Sequence, residues 1–173
     1  NCIPNTILIT MHRRESLDKN LELFMLNLKE FILNNPKYTI YWPVHPNPLI
    51  KSFINKHLNY FKKNSIKFLK PLSYEDFLNL LTKVEMVITD SGGVQEETAY
   101  LGKPLLIARD KTERVDIIRL KLARIIGADG SDLNKALKFY KKNKIEKKNT
   151  NLWRKMQGMG KSSNHIYKLI DQF

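Results

Sequence analysis

The residues with the clearest chemical potential form the turn Asp90-Ser91-Gly92-Gly93, which follows the apolar run Met86-Val87-Ile88. The run predicts a buried parallel strand, and the residues from Val94 to Leu101 favour a helix. Ser91 suits the N-cap of that helix. Two glycines let a ligand approach the backbone, and a helix N-terminus offers amide donors and a positive dipole end. The pattern predicts a phosphate site; an ordinary capped turn is the alternative.

Two further side chains near this turn fit a nucleotide. Glu97 lies just inside the predicted helix, where an acid can accept hydrogen bonds from ribose hydroxyls. Phe77 lies on the preceding predicted helix and either belongs to the core or packs against a base. A solvated Glu97 and a core Phe77 are the alternative interpretations.

Polar clusters also follow other predicted strands, at the edge where open α/β sheets bind ligands. His12-Arg13-Arg14-Glu15 follows the first strand, and His12 can act as an acid or base near neutral pH. Adjacent arginines can bind phosphate or carboxylate, although a surface turn with an Arg–Glu pair is the commoner case for such a tetrapeptide. His45 opens a Pro-rich loop and is either structural or part of the same edge. Arg109 to Arg114 is a third such cluster.

Strands and helices alternate along the chain. The predicted strands are Thr6–Met11, Tyr38–Val44, Ser65–Leu69, Met86–Ile88, Leu105–Ala108 and Arg124–Gly127. The predicted helices are 17–34, 49–61, 73–81, 94–101, 114–122 and 131–140 (capped by Ser131), followed by two tail helices broken at 158–160. This alternation predicts one α/β domain over residues 1–173, with a Rossmann-like parallel sheet and helices on both faces.

Composition restricts the possible partners. The chain of 173 residues is 42% hydrophobic and 27% charged, which is typical of a globular protein, and it contains no apolar run of membrane-spanning length. The net charge of +13 is spread thinly, and its densest run, 138–148, is typical of a solvated helix end and loop. We therefore expect no nucleic-acid or membrane partner, but attraction for anionic small molecules. The single cysteine, Cys2, fits a reducing compartment, so we expect a cytoplasmic location.

Five segments together resemble the UDP-N-acetylglucosamine 2-epimerase family. The matching pieces are Thr10-Met-His-Arg-Arg-Glu-Ser16, Pro43-Val-His-Pro-Asn-Pro48, Asp90-Ser-Gly-Gly-Val-Gln-Glu-Glu97, Leu101-Gly-Lys-Pro104 and Arg109-Asp-Lys-Thr-Glu-Arg114. The resemblance covers most of this chain but only about the C-terminal half of a family member. It implies a Rossmann-like half of a GT-B-type enzyme of two domains, with the nucleotide sugar held between them.

The resemblance also implies a reaction. Family members interconvert UDP-N-acetylglucosamine and UDP-N-acetylmannosamine by removing the C2 proton, eliminating UDP and adding it back, with neither a metal nor another cofactor. Hydrolysing relatives release N-acetylmannosamine and UDP instead. Two other interpretations stay open: the UDP-binding half of a GT-B glycosyltransferase, and a module that binds UDP-sugar without chemistry.

Carried over by position, the resemblance assigns roles to several residues. It implies diphosphate binding by Ser91, Gly92 and Gly93, a ribose contact by Glu97, and a uracil neighbour in Phe77. It further implies a substrate contact by Arg114, a catalytic role for His12, and an allosteric substrate site that includes Arg13 and His45. The chain departs from the family at Leu72, where some members carry Gln, and at the tail segment 157–163.

The acidic residues that handle the C2 proton belong to the N-terminal half of the family, and this chain has no equivalent of them. The chain also lacks an initiator Met, so we expect it to start inside a longer gene product or to have been trimmed. The resemblance thus implies a missing N-terminal domain as partner and a homodimer at full length. We expect the chain alone to be inactive.

Overall fold

A computed structural model describes residues 2–11, 19–44, 48, 51–52, 54–55 and 66–171. Within these residues, six strands form one parallel sheet in the order β3-β2-β1-β4-β5-β6. The strands are β1 Thr6–Thr10, β2 Thr39–Pro43, β3 Ile66–Leu69, β4 Met86–Thr89, β5 Leu105–Ile107 and β6 Ala123–Ile125. This is the doubly wound order of Rossmann-type domains, which confirms the predicted fold class.

Helices connect the strands. They are α1 Lys19–Asn34, α2 Tyr74–Lys83, α3 Gly92–Leu101, α4 Val115–Arg119, α5 Leu133–Lys142, α6 Lys147–Met156 and α7 Ser162–Ile170, with a 3-10 turn at Gly158–Gly160. The predicted break at 158–160 is confirmed. The predicted helix over 49–61 falls mostly outside the described residues, and 51–52 and 54–55 within it are helical. None of the described helices is long and apolar enough to cross a membrane.

Several predicted boundaries were wrong. The α4 helix is only five residues long, because Lys121 adopts a φ of 56° and turns the chain into β6. Strand β6 ends at Ile125, before Gly127, whose φ of 79° is incompatible with an extended strand. The N-cap position of α5 is Asp132, one residue after the predicted Ser131, and its side chain makes no capping hydrogen bond.

The sheet separates two apolar layers, and successive side chains of β1 point alternately into one layer and the other. Ile7 and Ile9 pack in the layer that contains α1 and α5, and Leu8 packs in the opposite layer with residues of α2, α3, α4 and α6. All three side chains are fully buried, and burying one aliphatic side chain stabilises a fold by about 1.5–3 kcal/mol. Two packed faces hold the strands rigidly, so the loops at their carboxyl ends have a fixed base.

Candidate functional site

A cleft of about 480 Å³ lies at the carboxyl ends of β3, β2, β1 and β4. Its lining residues are Thr10, Pro43, Val44, Pro71, Leu72, Tyr74, Phe77, Ser91, Gly93, Val94 and Glu97. The chain leaves β1 toward one edge of the sheet and returns through β4 to build the other, so the cleft is at the topological switch point. Open parallel sheets bind their ligands at this position.

The start of α3 forms one wall of the cleft. Ser91 occupies the N-cap position, but its side chain makes no capping hydrogen bond, contrary to the expectation from its residue type. The backbone N–H of Ser91 instead donates to Thr89 Oγ1 at 3.0 Å. Because α3 does not use the Ser91 hydroxyl, this cleft-lining group is available to a ligand.

Behind this wall lies a pair of buried threonines that the sequence analysis missed. Thr10 Oγ1 and Thr89 Oγ1 are 2.6 Å apart, at the last residues of the adjacent strands β1 and β4. Both side chains are at most 1% exposed. The pair connects the two strand ends to the Ser91 amide, so it fixes where α3 begins. In the sequence, each threonine only lies close before the polar cluster that follows its strand, which does not indicate that the two side chains pair.

The two glycines of the turn have different surroundings. A Cβ on Gly93 would meet no heavy atom within 4 Å, and Gly93 lines the cleft. A Cβ on Gly92 would lie 3.0 Å from Arg114 Cζ, so the guanidinium of Arg114 packs against this glycine. Gly93 therefore keeps space open, whereas Gly92 lets a cation approach the N-terminus of the helix closely.

Two carboxylates hold Arg114 in this position. Its Nε donates to Glu96 Oε1 at 2.9 Å, and its Nη1 contacts Glu113 Oε1. Glu113 also pairs with Arg109 at 2.9 Å. The pKa of Glu113 is lowered by a hydrogen bond from its own backbone N–H, and the two arginines lower it further. Arg114 is thus an ordered cation beside the helix start, although it is not one of the residues that line the cleft.

The loop that carries Arg114 is anchored to α3 through a buried side chain. Thr112 Oγ1 donates to Gln95 Oε1 at 2.8 Å and accepts the backbone N–H of Arg114 at 3.2 Å. Gln95 is fully buried in the first turns of α3. The position of the Arg114 backbone therefore depends on the same helix that presents the two glycines.

The opposite wall of the cleft comes from α2. Ser73 caps this helix, since Ser73 Oγ accepts the backbone N–H of Asp76 at 3.1 Å. Tyr74 Oη donates to Glu97 Oε1 at 3.0 Å, which joins α2 to α3 across the cleft. This hydrogen bond raises the pKa of Tyr74, and the charge of Glu97 adds to the effect. The sequence analysis did not identify Tyr74.

Several of the predicted site residues come together in this cleft. Phe77, Ser91, Gly93 and Glu97 line it, and Gly92 and Arg114 lie against each other at the start of α3. Leu72, where the chain departs from the family pattern, also lines the cleft. His12, Arg13 and His45 lie outside the described residues.

The chemistry of the walls is complementary to a nucleotide. A helix N-terminus can bind an anion, and a carboxylate can accept hydrogen bonds from a diol. Apolar side chains fill the floor between them, contributed by Pro43, Val44, Pro71, Leu72 and Phe77. A planar base fits such a floor, because ligand sites combine apolar walls with a few convergent polar groups.

Comparisons with known proteins point in the same direction. The family model for UDP-N-acetylglucosamine 2-epimerase matches residues 3–171. The UDP-N-acetylglucosamine 2-epimerase of Campylobacter jejuni is 38% identical over 122 residues, which are 70% of this chain and 31% of that protein.

Solved structures of two enzymes are also similar. The UDP-GlcNAc 2-epimerase of Methanocaldococcus jannaschii superposes with a TM-score of 0.80 at 29% identity, covering 98% of this chain and 46% of that one. The Neisseria meningitidis enzyme, solved bound to UDP-GlcNAc, gives a TM-score of 0.79 at 28% identity over 98% and 45% of the two chains. This chain therefore spans about a third of the curated relative and less than half of either solved structure.

Proposed function

We propose a function that starts from one premise: this chain belongs to the UDP-N-acetylglucosamine 2-epimerase family. The chain is the half that binds the UDP moiety of UDP-N-acetylglucosamine, within an isomerase that interconverts this sugar nucleotide and UDP-N-acetylmannosamine. The observation that carries the proposal is the convergence of Ser91, Gly93, Glu97 and Phe77 on one cleft at the switch point of the sheet.

Each part of the ligand has a matching wall. The diphosphate binds at the start of α3, to Ser91 and to backbone amides of Gly92 and Gly93, with Arg114 beside it. The ribose hydroxyls donate to Glu97. The uracil lies on the apolar floor, near Phe77 and Leu72. A solved relative bound to UDP-GlcNAc supports this choice of ligand.

The chemical contribution of this half is stabilisation of the leaving group. A base removes the proton at C2 while the bond between C1 and the diphosphate oxygen breaks, and UDP leaves with the electron pair. The helix N-terminus and the Arg114 guanidinium stabilise the negative charge that develops on the diphosphate. UDP then bonds to C1 of the glycal while an acid returns a proton to the opposite face of C2, which inverts the configuration at C2.

His12 is the catalytic residue that we propose for this half, in an acid–base or leaving-group role. The support is positional: Thr10, two residues earlier, lines the cleft at the end of β1. Arg13 follows His12 directly, and His45 follows the cleft residue Val44. We propose these two residues for a second, allosteric substrate site.

The acidic groups that handle the C2 proton belong to a second domain. The full-length protein forms a homodimer. The coverage of the relatives supports the second domain, because 54% or more of each compared structure has no counterpart in this chain. The C-terminal helix α7 supports it as well, since Ile166, Tyr167, Leu169 and Ile170 are each at least 57% exposed. An exposed apolar helix of this kind is typical of a surface that another domain covers. The chain alone should give no epimerisation above background.

Calorimetry with UDP and ADP tests the proposed binding. We expect uridine-selective binding by the purified chain, weakened about 5–150-fold by Glu97→Ala, because a bound hydroxyl that loses its hydrogen-bond partner costs about 1–3 kcal/mol. Glu75→Ala is the matched control, since Glu75 is exposed on α2 and does not line the cleft. Equal affinity for ADP, or full affinity in Glu97→Ala, would contradict the proposal.

Product analysis separates the two reactions of the family. A full-length protein that contains this half should convert UDP-N-acetylglucosamine to UDP-N-acetylmannosamine. Release of free N-acetylmannosamine with UDP would instead assign the protein to the hydrolysing group.

A further inference from the structure

Among the residues that the structure describes, one side-chain hydrogen bond joins α2 to α3 across the cleft. Tyr74 Oη donates it to Glu97 Oε1 at 3.0 Å. Tyr74 is 66% exposed and lines the cleft, so its ring contributes little to the core. Ser73 already caps α2, so that helix does not need the phenol to begin where it does. The hydrogen bond therefore has no evident role in holding the fold together.

Its effect falls on the carboxylate of Glu97. A carboxylate has two oxygens and about four acceptor sites. The phenol of Tyr74 occupies one site on Oε1, and Oε2 has no partner among the described residues. A glutamate side chain otherwise samples several rotamers, and fixing it in advance removes an entropy cost from ligand binding.

We propose that Tyr74 is a positioning residue that orients Glu97 toward the ribose diol and thereby sets the preference for a ribonucleotide over its deoxy analogues. This inference rests on the proposed function and deepens it. Tyr74 acts through Glu97, so it adds to the affinity only of ligands whose hydroxyls donate hydrogen bonds to Glu97.

A mutant cycle with deoxy ligands tests this dependence. The affinities of UDP, 2′-deoxy-UDP and 3′-deoxy-UDP are measured by calorimetry for wild type, Tyr74→Phe, Glu97→Ala and the double variant. We expect Tyr74→Phe to weaken UDP binding about 3–10-fold, as for loss of one hydrogen bond. The loss should shrink for at least one deoxy analogue and vanish in the Glu97→Ala background. Tyr100→Phe is the matched control, because Tyr100 is exposed on α3 outside this cleft.

A spectroscopic titration gives a second readout. The raised pKa of Tyr74 should fall back toward its ordinary value in Glu97→Ala, whereas those of Tyr38 and Tyr140, which are raised chiefly by burial, should not respond. Alkaline titration of assigned tyrosine NMR signals follows all three groups in one sample.

The possible results separate the inference from the function on which it rests. If wild type binds no UDP, both fail. If wild type binds UDP, the inference alone fails when Tyr74→Phe has no effect, when it weakens all three ligands equally, or when its effect persists in Glu97→Ala. The inference is supported if Tyr74→Phe weakens the binding of UDP, which carries both ribose hydroxyls, and does so only in proteins that retain Glu97.

Discussion

A serine at the start of a helix usually stabilises that helix, but Ser91 makes no capping bond although it occupies the N-cap position. Ser73 does cap its helix. We therefore expect Ser91→Ala to change the free energy of unfolding by less than about 0.5 kcal/mol, and Ser73→Ala to lower it by about 1 kcal/mol. UDP affinity should show the opposite order, with the larger loss in Ser91→Ala. Denaturant unfolding and calorimetry on both variants check this, and a large stability loss in Ser91→Ala would show that its hydroxyl serves the fold.

Gly93 allows a related separation of stability from binding. An added Cβ would meet no atom, so Gly93→Ala should fold and gain about 0.4–1 kcal/mol from reduced freedom of the unfolded chain. The same methyl group would occupy space in the cleft beside the proposed diphosphate position, so UDP affinity should fall at least tenfold. Thermal unfolding and calorimetry measure the two effects. Unchanged UDP affinity in a stabilised Gly93→Ala would place the ligand elsewhere.

The connection between β1, β4 and α3 depends on the buried threonine pair. In Thr89→Val, the Ser91 amide and the Thr10 hydroxyl lose their shared partner, which should cost about 1–3 kcal/mol of unfolding free energy and weaken UDP binding. Thr98→Val is the matched control within α3. The Thr98 hydroxyl is buried and has no hydrogen-bond partner among the described residues, so its loss should be neutral or stabilising. Denaturant unfolding measures both losses. An equal loss of unfolding free energy in Thr89→Val and Thr98→Val would contradict this account.

The strands and helices followed from local patterns. Short apolar runs predicted β1, β4 and β5. The predicted ends of α1 at residue 34 and of α3 at residue 101 agree with the structure, in which Gly102 follows α3 with a φ of 70°. Placing a polar cluster at the end of β4 predicted the cleft residues Ser91 and Gly93, because open parallel sheets bind ligands at the carboxyl ends of their strands. Glu97 and Phe77 were predicted from their places on the neighbouring helices. The alternation of strands and helices was therefore sufficient to predict the architecture and part of the cleft lining.

The missed contacts join residues that are distant in sequence. Thr10 and Thr89 are 79 positions apart, and Tyr74 and Glu97 are 23 apart, so neither pair has a local signature. The capping error at Ser91 is a local one, because residue type alone favours a cap, whereas the Ser91 side chain makes no capping hydrogen bond. Side-chain pairing between elements depends on sheet order and register, which local periodicity does not specify.

For the molecule as a whole, the excess of lysine and arginine offers a competing explanation of anion binding. The chain carries a net charge of +13, and a diffuse basic surface binds any polyanion weakly. Such binding weakens steeply as salt screens exposed charges, over a Debye length of about 8 Å at physiological ionic strength. Binding in the cleft should instead retain its uridine selectivity at that ionic strength, because hydrogen bonds and the apolar floor contribute to it.

An NMR titration of the isotope-labelled chain with UDP at physiological ionic strength tests the central claim most directly. We predict that the largest amide shifts cluster at Leu72, Gly92, Gly93 and Val94, around the cleft between α2 and α3. Shifts concentrated instead in the lysine-rich segment 138–148, with the amides of Gly92 and Gly93 unmoved, would contradict the account.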